Sequence, residues 1–81
     1  APGDVLVEIE VPSHACGKTL PELDIRRRFH IQVIMLRRRL PGPDGQSIWK
    51  RWAPAPTDTL EPGDFLLVLG KRENIRNATK I

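Results

Sequence analysis

The chain has 81 residues, 40% of them hydrophobic and 28% charged, which suits one small domain and leaves no room for the parallel sheet and covering helices of a nucleotide-hydrolysing enzyme. No apolar run approaches the roughly 18 residues of a membrane span, no signal-peptide pattern is present, and the single cysteine, Cys16, excludes an internal disulfide and favours a cytosolic compartment. The formal charge of +3, from 13 Lys and Arg against 10 Asp and Glu, is local: Arg26–Arg28 and Arg37–Arg39 carry six positive charges, and removing six from +3 leaves −3.

The chain opens at Ala1 without an initiator Met and runs almost at once into a strand pattern, so it reads as a piece of a longer protein. Val5, Val7, Ile9 and Val11 alternate with Leu6, Glu8 and Glu10, the pattern of a half-buried strand over 4–11, and Pro12 ends it. After a loop to Gly17, Thr19-Leu20-Pro21-Glu22 has the form of a capping box opening a short helix. Pro21 is tolerated there because first-turn N–H groups have no helical acceptor. Leu20, Leu23 and the Arg27 stem fall on one face, and Arg26–Arg28 occupy the last turn, where cations complement the helix dipole.

Residues 31–38 (IQVIMLRR) predict a second strand, apolar on both faces and therefore expected to be covered on both. Residues 40–46 form a turn-rich loop, and Ile48-Trp49-Lys50-Arg51-Trp52 fits a short edge strand. Ala53-Pro54-Ala55-Pro56 is extended and cannot lie inside a sheet. Glu61-Pro62-Gly63-Asp64 predicts a turn leading into the most hydrophobic strand, 65–69, which Gly70 ends. A final helix is expected over 72–80 with Ile75 and Ala78 facing inward. The order strand, helix, strand, short strand, strand, helix is that of an α+β domain.

Gly17-Lys18-Thr19 follows a strand and precedes a helix, as in a phosphate-binding loop. Pro12, however, stands where that loop needs its first glycine, and Pro21 occupies the helix start that should face the anion. Capping is the better account. His14 and Cys16 are two potential metal ligands, short of the four a structural zinc site uses, with His30 the only other histidine and no second cysteine. No metal and no cofactor is assigned. There is no serine or cysteine with an orienting base and no tyrosine, so no catalytic residue is assigned either and the chain is not read as an enzyme. Asn77-Ala78-Thr79 matches a glycosylation sequon that a reducing compartment would leave idle. Trp49-Lys50-Arg51-Trp52 interleaves aromatics with cations in a way that suits nucleic acid, but residues 49 and 52 of a strand point to opposite faces. Nucleic-acid binding by a small basic domain is the rival reading.

Taken in order, Gly17-Lys18-Thr19-Leu20, Leu23-Asp24-Ile25-Arg26, the strand Ile31–Arg37, Leu60-Glu61-Pro62-Gly63-Asp64 and Leu67-Val68-Leu69-Gly70 resemble the C-terminal domain of RCK proteins, the TrkA-C domain, over nearly the whole of 1–81. The resemblance implies a β-α-β-β-β-α fold with a mostly antiparallel sheet and two short helices. It further implies a non-catalytic cytosolic regulatory domain attached to, or associated with, a potassium or other cation transporter, channel or related membrane permease. Such domains act as homodimers, and in some members a small anionic ligand such as cyclic di-AMP binds between protomers. Carried onto matching positions, the ligand contacts are Arg26, Gln32 and Val33. Arg28 joins them here because the Arg26–Arg28 cluster would draw an anion.

Overall fold

The computed structural model describes residues 3–80, so the expected domain limits of 1–81 extend slightly past it at both ends. Four strands, β1 (Asp4–Glu10), β2 (Gln32–Pro41), β3 (Ser47–Trp52) and β4 (Phe65–Lys71), form one sheet in the order β1-β4-β2-β3, with every neighbouring pair antiparallel. A 3-10 turn at Ser13–Ala15 follows β1, helices α1 (Leu20–Leu23) and α2 (Ile25–Phe29) lie between it and β2, and α3 (Arg72–Thr79) follows β4. No helix among the described residues is long and apolar enough to cross a membrane.

The core lies on one face of the sheet. Leu66 and Val68 of β4 and Leu36 of β2 meet Val11, Ala15, Leu23, Ile31, Leu60 and Ile75, all nearly or fully buried. Each fully buried aliphatic side chain contributes about 1.5–3 kcal/mol relative to exposure. Val5, Val7 and Ile9 pack against the margin of this cluster, as their alternation predicts.

The opposite face departs from expectation. The apolar character of β2 on both faces predicted two coverings, yet Met35, with its neighbours Leu67, Leu69 and Phe65 on β4, carries no helix and is only partly buried, and Leu6 is 58% exposed. All three helices and the connecting loops serve one layer only.

The single helix expected after the capping box is two. Thr19 Oγ1 accepts from the Glu22 N–H (3.3 Å) and the Glu22 carboxylate accepts from the Thr19 N–H (2.9 Å), as the box requires. Asp24 then adopts a left-handed conformation (φ 53°) that ends α1 and starts α2 in a new direction. His30 (φ 58°) turns the chain again into β2. Aspartate and histidine are among the non-glycine residues that tolerate this region. The arginine triplet thus belongs to α2, and the Arg27 stem, expected to pack, belongs to a largely exposed side chain hydrogen-bonded to Asp24.

β2 is longer than predicted and carries an irregularity, its register with β4 shifting between Val33 and Met35. Its second half, with β3, overhangs β1 and β4, because β4 pairs with β2 only as far as Arg37↔Phe65 while β3 continues to Pro41↔Ser47. The extents of 44 × 25 × 21 Å reflect this overhanging arm. Where β4 leaves the sheet, Gly70 lies against the start of β2: a Cβ there would stand 2.8 Å from Ile31 Cγ2. Only glycine permits that approach.

Candidate ligand groove

Between α1–α2 and the Pro54–Pro56 segment lies an open groove of about 360 Å³ whose floor is the beginning of β2. Local chemistry builds each wall. The left-handed turn at Asp24 swings Ile25 and Arg26 out over the groove, the turn at His30 delivers Ile31, Gln32 and Val33 to its floor, and the two prolines hold the opposite wall extended. Apolar surface comes from Leu20, Ile25 and the prolines.

The groove's cation is Arg26. Its side chain is exposed, makes no hydrogen bond or ion pair within the described residues, and also borders an adjoining depression of about 260 Å³ beside His30, Gln32 and Gly70. The groove's carboxylate, Asp24, is engaged by Arg27 Nε. Gln32 is exposed, with no side-chain hydrogen-bond partner among the described residues. The groove therefore offers an uncommitted guanidinium, a side-chain amide and an apolar wall, the equipment for a small anion that also carries flat apolar surface.

Of the four expected site residues, Arg26, Gln32 and Val33 meet in this groove and Arg28 does not. Arg28 points to the helical side, donating from Nη1 to the Leu23 carbonyl (3.3 Å) with its guanidinium 5.0 Å from the Phe29 ring centre. Sequence reasoning missed the proline wall. Ala53-Pro54-Ala55-Pro56 was recognised as extended, but only the fold brings it opposite residues 20–33.

Arg37 and Arg38 have structural partners. Arg38 donates from Nε and Nη2 to the two carboxylate oxygens of Asp64 (2.9 and 2.8 Å), and these hydrogen bonds hold its pKa above the ordinary arginine value. Arg37 donates to Glu8 (2.7 Å) and lies 4.0 Å from the Trp49 ring centre. Trp52 is on the other side of the sheet, its indole N–H donating to Asp58 (2.9 Å). The two tryptophans thus form no shared stacking platform. Asp58 is held below the ordinary carboxylate range by the Ala55 N–H, then by Trp52, and this fastens the proline wall to β3.

The Gly17-Lys18-Thr19 string has no free amide row. The N–H groups of Ala15, Cys16, Gly17 and Lys18 are donated to Pro12, Ser13, Leu60 and Ala15, and that of Thr19 to Glu22. Gly17, at φ +82°, turns the chain so that Gly17 and Lys18 bracket Leu60 in two backbone hydrogen bonds (2.7 and 2.9 Å). Cys16 Sγ lies 3.7 Å from the Pro12 carbonyl and packs on the core.

With this geometry in hand, the relatives can be named. The profile of the TrkA-C domain family matches residues 5–81. No curated protein gives a significant sequence match. Among solved structures, the RCK (regulator of conductance of K+) C domain of the potassium transport protein KtrA, in complex with cyclic diadenosine monophosphate, is similar at TM-score 0.71 and 25% identity. That match covers 95% of this chain and 81% of that one. The GsuK channel bound to NAD (TM-score 0.66, 21% identity) and the GsuK RCK domain (0.65, 18%) share the fold. This chain covers 93% and 94% of itself in those matches but only 13% and 15% of the GsuK chains.

Proposed function

The chain belongs to the TrkA-C domain family, and from that premise we propose that it is a regulatory, ligand-sensing domain of a potassium or other cation transport system, working as a homodimer on the cytosolic side of the membrane within, or bound to, a larger transport protein. Its role is binding, not catalysis. The ligand is a small anion such as cyclic di-AMP, and its site is the groove of Arg26, Gln32 and Val33.

One observation carries this reading: an exposed, unpaired Arg26 shares an open groove with Gln32, Val33 and the proline wall, in a chain similar to a KtrA C domain solved with a cyclic dinucleotide. Arg26 supplies the fixed cation for a phosphate, Gln32 hydrogen-bonds a base edge, and Leu20 with Pro54 and Pro56 offers apolar surface to the base. The groove is open on the side away from these walls, so a second copy facing it encloses a twofold-symmetric ligand with two equivalent arginines. Ligand that binds one placement of the two copies better than another biases the attached transporter by that difference in affinity, and by nothing else.

Titration calorimetry with cyclic di-AMP tests this. Arg26→Ala loses a charge-assisted hydrogen bond worth about 1.5–3 kcal/mol, a drop in affinity of roughly tenfold or more. Unchanged affinity in that variant defeats the site, and absence of binding by the wild-type chain at millimolar nucleotide defeats the ligand.

A further inference from the structure

The hairpin of β2 and β3 projects from the rest of the molecule and takes no part in the groove. β4 pairs with β2 only as far as Arg37, so beyond Arg38 the two strands have no third beside them. Every residue from Pro43 to Arg51 is exposed. Cross-strand pairing sorts the side chains onto two faces: Arg39 with Trp49 and Arg37 with Arg51 on one, Leu40 with Ile48 and Arg38 with Lys50 on the other. A tight turn closes the tip. The Gly42 N–H donates to the Gln46 carbonyl (2.6 Å), and a Cβ on Gly42 would collide with that oxygen.

Two properties distinguish this arm. Large apolar side chains are exposed on both of its faces, Ile48 (52%) on one and Trp49 (38%) on the other. Three cations surround them: Arg39, 5.3 Å from the Trp49 ring centre, Arg51 on the same face, and Lys50 on the face of Ile48. All three are exposed and enter no ion pair among the described residues, unlike Arg37 and Arg38 at the base of the arm, which pair with Glu8 and Asp64. Asp44 is the only carboxylate between residues 37 and 52.

We propose that the arm is a membrane-contact element: its tip docks on an anionic lipid surface, Ile48 and Trp49 enter the interfacial zone, and Arg39, Lys50 and Arg51 meet lipid phosphates. The placement of the apolar groups selects this occupant. A protein surface or a stack of bases covers one face of a two-stranded ladder and leaves the other in water. A tip dipped among headgroups is surrounded, so apolar residues on opposite faces are buried together. Tryptophan suits that zone because its ring is apolar and its N–H is polar. Each cation held near an anionic leaflet raises partitioning roughly fivefold, and three together about a hundredfold. That orients a domain already held at the membrane by a larger protein. The orienting role therefore rests on the function proposed above, whereas the lipid contact does not. None of these five residues lines the groove, and the β2 residues that floor it lie roughly 20 Å back along the strand.

The test is cosedimentation of the chain with phosphatidylcholine vesicles, with and without phosphatidylglycerol, at millimolar lipid, with tryptophan emission read on the same samples. Binding to the anionic vesicles alone is expected, weakened by molar salt and accompanied by a blue shift as Trp49 leaves water. Arg39→Glu and Arg51→Glu each lower partitioning by about tenfold or more, and Asp44→Asn raises it several-fold. Trp49→Phe, which leaves Trp52 as the only tryptophan, still binds but shows no blue shift. The three charge variants alter exposed residues, so their denaturant midpoints and cyclic di-AMP affinities stay at the wild-type values, and failure of the lipid contact is distinguishable from failure of the groove. Equal binding to neutral vesicles, binding indifferent to both reversals, binding without the blue shift, or no binding to either vesicle overturns the inference. In the last case a salt-sensitive gel shift of single-stranded DNA would assign the arm to nucleic acid instead.

Discussion

Arg38 and Asp64, 26 residues apart in the chain, form a two-pronged ion pair in which the carboxylate is 1% exposed and the guanidinium closes over it from β2. Asp64 also accepts from the Glu61 N–H (2.9 Å), closing the turn before β4, and its carbonyl accepts from the Val11 N–H (2.8 Å). Arg38 returns to the same loop, donating to the Thr59 carbonyl (3.0 Å) and pairing with Glu61 (2.9 Å). The pair thus ties the arm strand to the loop that precedes the most hydrophobic strand.

Removing one partner of such a pair strands the other. Asp64→Ala is expected to cost about 3 kcal/mol, since Arg38 loses its bidentate carboxylate and keeps only Glu61 and the Thr59 carbonyl, while the Glu61 N–H loses its acceptor. Asp64→Asn, which keeps the shape and part of the hydrogen bonding, falls between that and wild type. Urea unfolding by circular dichroism ranks the three.

Gly70→Ala places a methyl 2.8 Å from Ile31 Cγ2. Ile31 is 2% exposed and cannot yield freely, so the variant loses about 1–3 kcal/mol through overpacking. Ile31 also borders the groove, so ligand affinity falls with stability in this variant. Denaturant midpoint and titration calorimetry measured on one preparation reveal both effects.

Acid weakens the fold in a defined direction. Glu22, through the Thr19 N–H and hydroxyl, and Asp58, through the Ala55 N–H and Trp52, are both held below their ordinary values. The folded chain therefore binds fewer protons than the unfolded chain in mild acid. The stability these groups give is complete above the ordinary carboxylate range and is lost as the pH falls through it towards the depressed folded values. Asp58→Asn removes part of that dependence, so its unfolding midpoint declines less steeply with acid than the wild type's. A parallel decline would show that Asp58 is not a source of it.

Lys18→Ala changes little. The lysine is exposed, and the amides around it are committed to Pro12, Ser13, Leu60, Ala15 and Glu22. Stability within about 0.5 kcal/mol of wild type, and unaltered cyclic di-AMP affinity, are expected. Thr19→Ala, by contrast, removes the cap acceptor and costs about 1 kcal/mol.

The parts of this architecture readable in advance were those set by near neighbours. The Val5-Val7-Ile9 alternation, the Thr19–Glu22 box and the Glu61–Asp64 turn each involve residues no more than four apart, and all three stand in the structure. What depended on distant partners was hidden. Nothing near Asp64 announces that Arg38 will need it, and the expected strand ended at Arg38, with nothing in Arg37-Arg38-Arg39 to announce that it continues to Pro41. The triplet is accommodated there because tryptophans of β3 lie beside all three guanidinium groups and carboxylates from two other segments neutralise Arg37 and Arg38. The groove was half legible: the cation and strand residues followed from resemblance, while the proline wall required the hairpin to fold back. The break at Asp24 was not foreseen, because a helical pattern continues through it.

The register shift between Val33 and Met35 reaches further than its size. Val33 lies opposite Val68 and Leu36 opposite Leu66, both of which face the core, so odd-numbered residues point inward before the shift and even-numbered ones after it. Ile34 is the added residue: without it the two ends would follow one alternation in step with β4, and with it the arginine end is offset by one position from the binding end. One extra amino acid lets a single strand obey two opposite parities.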